Sequence, residues 1–374
     1  MMALSRADTS VLGRWWWTVD RWTLAALMTL VGFGYVMLLA ASPGVAERIG
    51  ASSRDMFILK QVFFLALASG VMITISLLPV KQVRRLALLG FFGALLMTAA
   101  TLSMGVEIKG ARRWINLPGM TLQPSEFLKP CFAVVAAWLL AEARSSGWRA
   151  TAAACFLFLL VAGVLAKQPD MGMLVVVGSV FCAQLFVAGI NMFIVAGCGV
   201  AGILSGIAAY FVLPHFQSRI DRFLNPESGD TYQVTIAMEA FGHGGLLGVG
   251  PGEGRLKALL PDAHADFVFA VAGEEFGLAI CLLILAVFGF IVLRGLLRLL
   301  GEKDMFIILG ATGLLTQFGL QAFINMASAL HLIPTKGMTL PFISYGGSSV
   351  VAVALGMGML LAMTRRRLMR TDGE

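Results

Sequence analysis

Ten apolar runs of bilayer-spanning length follow one another along the chain, near residues 22–42, 57–78, 86–104, 124–142, 150–166, 171–189, 191–213, 266–294, 303–329 and 338–364. A helix rising 1.5 Å per residue needs about 20 apolar residues to cross the hydrocarbon core. Between the sixth and seventh runs stand only Gly189, Ile190 and Asn191. A single helix over that stretch would be far too long, so the pattern predicts a tight hairpin there. The expected fold is an all-α polytopic membrane protein with about ten transmembrane helices. Its parts are an N-terminal tail (1–21), one transmembrane domain (22–364) with a long loop over about 214–265, and a C-terminal tail (365–374).

The loop charges orient it. With the N-terminus inside, Lys81, Arg84, Arg85, Arg144, Arg149, Arg294, Arg298 and Lys303 fall on the cytoplasmic side, and so do Arg365, Arg366, Arg367 and Arg370. Cations in short loops mark the cytoplasmic face, and long loops count little, so both termini are expected in the cytoplasm and the long loop outside it. Arg14, Trp15, Trp16, Trp17 and Arg21 precede the first run, which reads as a retained insertion signal with an interfacial anchor. One short outer loop breaks the trend, because it holds Lys109, Arg112 and Arg113. Cations kept on the unfavoured side imply a task.

Composition agrees. Hydrophobic residues make up 58% of the chain and charged residues 13%, which leaves a soluble domain of this length without a polar surface. The net charge of +7 sits largely beside cytoplasmic helix ends, where anionic lipid favours it, so it does not point to nucleic acid. Cys131, Cys155, Cys182, Cys198 and Cys281 all lie inside apolar runs without metal-ligand spacing, and read as small buried hydrophobes. His215, His243, His264 and His331 fit no metal motif either. No internal repeat is visible, which weakens a transporter built from duplicated halves.

Three constellations can carry chemistry, the first made of two neighbouring strings. In KGARRWI (109–115), Arg112 and Arg113 suit a phosphate or diphosphate, and Trp114 suits the interface. In QPSEFLKP (123–130), Glu126 and Lys129 are three apart, share a helix face and can pair inside the membrane, where charge usually lines a site. In LLPDAHADFVFAVAGEEFG (259–277), Asp266 stands where the long loop re-enters the membrane, with His264 before it and Glu274 and Glu275 beyond. It is a candidate general base; equally, Asp is a preferred helix cap, and a helix N-terminus would weaken it as a base. In PTKGMTLPFISYGGSS (334–349), two prolines and Gly346–Gly347 imply broken helix at membrane depth, with Lys336, Ser344, Tyr345, Ser348 and Ser349 at hand. The turn Gln168–Pro169–Asp170 reads as structural, with Lys167 pairing Asp170. Asp230–Ala240 reads as a short amphipathic helix, and Gly242–Gly254 as a glycine-rich turn region packed back on the membrane face. Together these features fit an enzyme acting on a lipid diphosphate, or a carrier for an anionic lipid.

The five strings KGARRWI, QPSEFLKP, QPDMG, AHADFVFAVAGEE and PTKGMTLPFISYGGSS, in this order, resemble the SEDS family (shape, elongation, division and sporulation) of bacterial cell-wall synthesis, from about residue 20 to 367. TKGMTLPFISYGGSS and PDAHADFVFAVAGEE are closer to its division branch than to its elongation branch. The resemblance implies a peptidoglycan glycosyltransferase of the bacterial inner membrane, placed at the division septum, that polymerises lipid II. It also implies a class B penicillin-binding transpeptidase and other division membrane proteins as partners. The family's essential aspartate matches Asp266. An inverting transfer then needs Asp266 as base, with Arg112, Arg113, Lys129 and Lys336 holding the diphosphate and Glu126 positioning Lys129. No cofactor is required by this scheme; a divalent cation (Mg or Mn) could assist, without a dedicated carboxylate cage. The competing expectations are a lipid II flippase and a non-catalytic scaffold that activates the penicillin-binding protein.

Overall fold

The computed structural model describes residues 10–48, 56–108, 111–117, 120–225, 232–260, 262–334 and 337–366. Lys109 and Lys336 lie outside them. In chain order the elements are α1 (Val11–Thr18), α2 (Arg21–Arg48), α3 (Met56–Ser76), α4 (Val80–Met104), β1 (Val106–Ile108), β2 (Ala111–Leu117) and β3 (Met120–Leu122). Then come α5 (Pro124–Ser146), α6 (Trp148–Lys167), α7 (Met171–Val187), α8 (Met192–Val212), α9 (Pro214–Leu224), α10 (Tyr232–Gly244), α11 (Val268–Leu299), α12 (Met305–Ala329) and α13 (Gly347–Met363).

Seven of these (α2, α3, α4, α6, α8, α11, α12) are long and apolar enough to cross a membrane. The shorter apolar helices α7 and α13 and the more charged α5 bring the described bundle to the ten of the hydrophobic pattern. The protein is a multi-pass membrane protein. The hairpin at 189–191 is present: Gly189 turns with φ 78° and the Asn191 side chain caps α8 by accepting from the Phe193 amide at 2.9 Å. The first and last described helices meet on one face, where the Arg366 amide donates to the Thr18 carbonyl at 3.0 Å. That face also carries the short-loop cations, which makes it the cytoplasmic one.

Helices α5, α12 and α13 form the centre. α13 lies along α3, and α5 is held between α4 and α12. Phe91, Phe132, Phe158 and Phe181 of α4 to α7 interlock, with Phe158 stacked on Phe181 at 4.9 Å. α8 buries no residue and touches only its chain neighbours α7 and α9 among the stronger contacts. Cys198 on α8 is therefore exposed, unlike the buried Cys131 and Cys281.

Four features depart from the expected all-α picture. The KGARRWI stretch is not a plain loop: β1, β2 and β3 form an antiparallel sheet in that order, with Glu107 opposite Arg112. Alternate hydrogen-bonding strands leave no helical frame here, since β-branched and aromatic residues suit a half-exposed sheet. The start of the long loop is an amphipathic helix, α9, opened by Pro214 in its first turn. α13 begins at Gly347 rather than near 338, and residues 337–346 are an irregular strap. α11 is broken at Gly277 (φ 75°, ψ −175°).

The glycine-rich loop explains that break. The amides of Val249 and Gly250 donate to the Glu274 and Glu275 carbonyls at 3.0 and 3.1 Å, and the amides of Leu278 and Ala279 donate to Gly245 and Leu246. The loop thus completes the hydrogen bonds that the broken helix cannot make internally. A side chain at Gly277 would collide with the backbone at Leu246 and Gly248, and its positive φ is open only to glycine. Glu274 holds the next turn, accepting from the amides of Arg255, Leu256 and Lys257 at 2.8, 2.9 and 3.1 Å. Glu275 accepts from the Gly252 amide and pairs with Lys257. Both glutamates are buried and structural. Glu274→Ala is expected to destabilise the chain by about 3 kcal/mol, because three backbone donors lose an acceptor that is itself fully buried. Thermal melting in detergent checks this, and Glu274→Gln, which keeps one acceptor oxygen, should melt between the two.

Candidate active site

Asp266 ends a tight turn in which the amides of Ala265 and Asp266 donate to the Asp262 carbonyl at 2.9 and 3.1 Å. The cap of α11 is Phe267, and no side chain caps it. The helix-cap reading of Asp266 is therefore not realised. What holds the turn is a set of three successive carbonyls, each taken by a different donor. The Tyr345 amide donates to His264 at 2.8 Å, the Ser344 hydroxyl to Ala265 at 2.5 Å, and the Asn325 amide group to Asp266 at 3.1 Å. Each donor comes from the strap or from α12, so the half-buried carboxylate is aimed by backbone fixed on three sides.

The strap closes over it. A Cβ at Gly337 would stand 3.2 Å from Asp266 Oδ2, so a side chain there would push the carboxylate aside by a few tenths of an ångström. Gly337→Val is expected to lower turnover by about 100-fold through displacement of the carboxylate, with normal melting. A rate within threefold of wild type would remove this contact from the site. The His264 ring packs against Tyr345 at 5.0 Å. Burial pushes the His264 pKa down against the charge of Asp262, and burial pushes Tyr345 up. The Asp266 carboxylate stands beside these two rings at the edge of the strap, where it can accept a proton from a bound hydroxyl.

Beneath the strap lies a closed ring of buried polar groups. Lys129 Nζ pairs with Glu126 at 2.8 Å and donates to Gln321 Oε1 at 2.9 Å. The Gln321 side-chain amide donates to the Thr339 carbonyl, Thr339 and Ser349 share a 2.6 Å hydroxyl contact, and Ser349 donates back to Glu126 at 3.2 Å. Lys129 is 2% exposed and Glu126 7%. The pair is present as the three-residue spacing predicts, but it faces the strap rather than an open surface. Gln321 and Asn325 are four apart on α12, so Lys129 and the Asp266 turn are linked across one helical turn, about 6 Å. Asn325 also donates to the Met338 carbonyl at 2.6 Å, which ties the strap and the turn together.

The two outer arginines part company. Successive residues of a strand point to opposite faces. Arg113 donates to the Gln168 carbonyl at 3.0 Å and the Pro169 carbonyl at 2.6 Å, and pairs with Asp170 at 3.4 Å. Arg112, exposed, meets Glu107 at 3.4 Å. Trp114 is half-buried on the same strand. The partner of Asp170 is thus Arg113 and not Lys167, and one grip by both arginines on a single diphosphate is not the geometry observed.

Sequence reasoning passed over Arg219 of α9. Burial lowers its pKa, as does the charge of Arg113, while Asp170 and Asp266 pull the other way. Its guanidinium therefore stands in the field of both carboxylates. The signal was available in PHFQSRIDRFL, whose charged and apolar residues alternate at helical spacing. Gln321 and Asn325 had no such signal, being amides within an apolar run. Among the described residues, no three His, Cys, Asp or Glu side chains gather closely enough to hold a metal ion.

Comparison with known proteins follows this geometry. The FtsW/RodA/SpoVE family model, described as a cell cycle protein, matches residues 21–368. The chain belongs to the FtsW/RodA/SpoVE family. Among curated relatives, the probable peptidoglycan glycosyltransferase FtsW of Caulobacter vibrioides is 41% identical over 98% of this chain and 94% of its own length. That of Geobacter metallireducens is 34% identical over 93% and 96%. Among solved structures, a peptidoglycan synthase complex described as coordinating polymerization and crosslinking superposes with a TM-score of 0.77 at 26% identity, over 92% of this chain and 97% of that one. The rod shape determining protein RodA of Thermus thermophilus gives 0.70 at 26% identity, over 93% and 97%. It is also solved as an aspartate-to-alanine variant.

Proposed function

We propose that this chain is a peptidoglycan glycosyltransferase that polymerises lipid II into β-1,4 glycan at the outer face of the bacterial inner membrane, with Asp266 as general base. The observation that carries the reading is the clamped turn. Three held carbonyls and a glycine contact aim one carboxylate, beside the His264 and Tyr345 rings, where the loop region meets the bundle. The acceptor 4-hydroxyl loses its proton to Asp266 as its oxygen attacks the anomeric carbon of the donor. The bond from that carbon to the diphosphate breaks, and the electron pair leaves on the diphosphate. Attack from the face opposite the leaving group inverts an α-diphosphate into a β-linkage. Preorganised positive charge lowers the barrier to departure.

Arg113 and Arg219 are the proposed source of that charge, with Lys336, adjacent to Gly337 in the sequence, as a further candidate. Lys129 is assigned a positioning role through Gln321 and the strap. A divalent cation (Mg or Mn) would enter with the diphosphate, not in a protein cage. A class B penicillin-binding protein and other division membrane proteins are the proposed partners, and the septum the proposed location.

The test is glycan formation from purified lipid II by the reconstituted chain with its penicillin-binding partner, transpeptidation blocked. Polymer from wild type and none from Asp266→Ala, itself folded and partner-bound, is the expected result. Lipid II crossing liposomes without polymer would replace the reading with a flippase. Polymerisation that persists in Asp266→Ala would reassign the base.

A further inference from the structure

A cavity of about 710 Å³ opens on the opposite, cytoplasmic face, among the ends of α1, α3, α4, α12 and α13. Its wall carries Arg14, Lys81, Arg365 and Arg366 against a single carboxylate, Asp304. Asp304 is occupied as the cap of α12, accepting from the Phe306 amide at 3.0 Å. The nearby Asp20 is taken by Arg294 at 2.8 Å and Arg298 at 3.1 Å. None of the four wall cations forms an ion pair with a carboxylate among the described residues. Arg365 is half-buried, donates only to the Leu78 carbonyl at 3.3 Å, and has its pKa lowered by burial. A half-buried arginine with one long carbonyl contact, in a cavity lined by three further cations, is a site an anion would stabilise.

The remaining wall is apolar. Leu77, Val80 and Ala362 line it at the ends of spans, and Trp15 is fixed there by its indole N–H donating to Ser76 at 2.9 Å. Trp16 and Trp17 of the same short helix stack under Arg21, at 5.4 and 4.7 Å from its guanidinium carbon. Aromatic rings and cations in that combination lie at head-group depth. A cationic rim over apolar walls at this depth matches a phosphate on a glycerol with acyl chains, and matches a soluble anion poorly.

We propose that this cavity binds the phosphate head of an anionic phospholipid from the cytoplasmic leaflet. The occupant bridges α1, the α3–α4 turn and the end of α13, three elements otherwise tied there by few polar bonds, of which the Arg366–Thr18 backbone bond is one. Nothing in the glycosyl transfer requires it, and no residue of the outer site takes part.

The experiment is native mass spectrometry and thermal melting of the full chain, delipidated and then titrated with phosphatidylglycerol, cardiolipin or phosphatidylethanolamine. The variants are Lys81→Gln/Arg365→Gln and Arg14→Gln/Arg366→Gln, with Arg149→Gln as a cytoplasmic cation away from the cavity. Expected is one tightly held anionic lipid on wild type and on Arg149→Gln, weakened at least tenfold in both double variants, whose melting in phosphatidylethanolamine alone matches wild type. Inorganic phosphate at millimolar concentration should neither displace the lipid nor raise the melting temperature. Equal retention of phosphatidylethanolamine, full retention of anionic lipid by both double variants, or equal stabilisation by inorganic phosphate would each overturn the proposal. Should one double variant melt early in neutral lipid, the exposed single variants Lys81→Gln and Arg14→Gln carry the comparison.

Discussion

Asp266→Asn is expected to lower the initial rate of glycan formation by about 10²- to 10⁴-fold while leaving the chain folded. That range is the usual worth of a positioned general base. Asparagine keeps the shape of the side chain, and the clamps at 264, 265 and 266 act on backbone carbonyls, so the turn has no reason to move. Asp266→Glu should fare little better, because an added methylene presses the carboxylate into the strap at Gly337. A rate for Asp266→Asn within tenfold of wild type would show that the proton leaves by another route.

Lys129→Met is expected to cost about 3–5 kcal/mol, because it leaves the Glu126 carboxylate buried without its cation. Glu126→Gln in the same background removes the stranded charge and keeps an oxygen to accept from Ser349. The double variant should therefore recover much of the stability, a coupling of up to about 3 kcal/mol for contacting residues. Melting of the single and double variants measures it. Activity separates two roles for the lysine. If Lys129 acts through Gln321 and the strap, the double variant regains turnover to within about tenfold. If it touches the departing diphosphate, the refolded double variant stays as inactive as Asp266→Asn. The 2% exposure of Lys129 and its two committed partners favour the first outcome.

Several parts of the site were readable along the chain. Asp266, His264, Ser344 and Tyr345 stand together because each lies next to a break where an apolar run meets polar residues, and such breaks are local features. Glu126 and Lys129 pair because three residues make nearly one turn of helix. Other parts were not readable. Arg112 and Arg113 diverge since a strand, not a loop or helix, carries them, and three short strands have too few residues for a pattern to emerge. Asp170 could pair with either neighbour in sequence or a cation from afar. Its partner, Arg113, is set by how β2 crosses over the α6–α7 turn.

The hydrophobic pattern by itself determined the class of protein, the number of spans and the hairpin at 189–191, and the short-loop cations determined the orientation. The reason is that the bilayer reads the chain segment by segment: length and apolarity decide insertion, and cations decide side, wherever the rest of the chain lies. Tertiary structure alone decided what becomes of the polar residues within those segments. Gln321 and Asn325 hold the strap, Glu274 and Glu275 brace the glycine loop, and Gly277 breaks α11 to receive that loop. In a membrane interior each buried polar group must find a partner, and here the partners of these groups come from other elements of the chain.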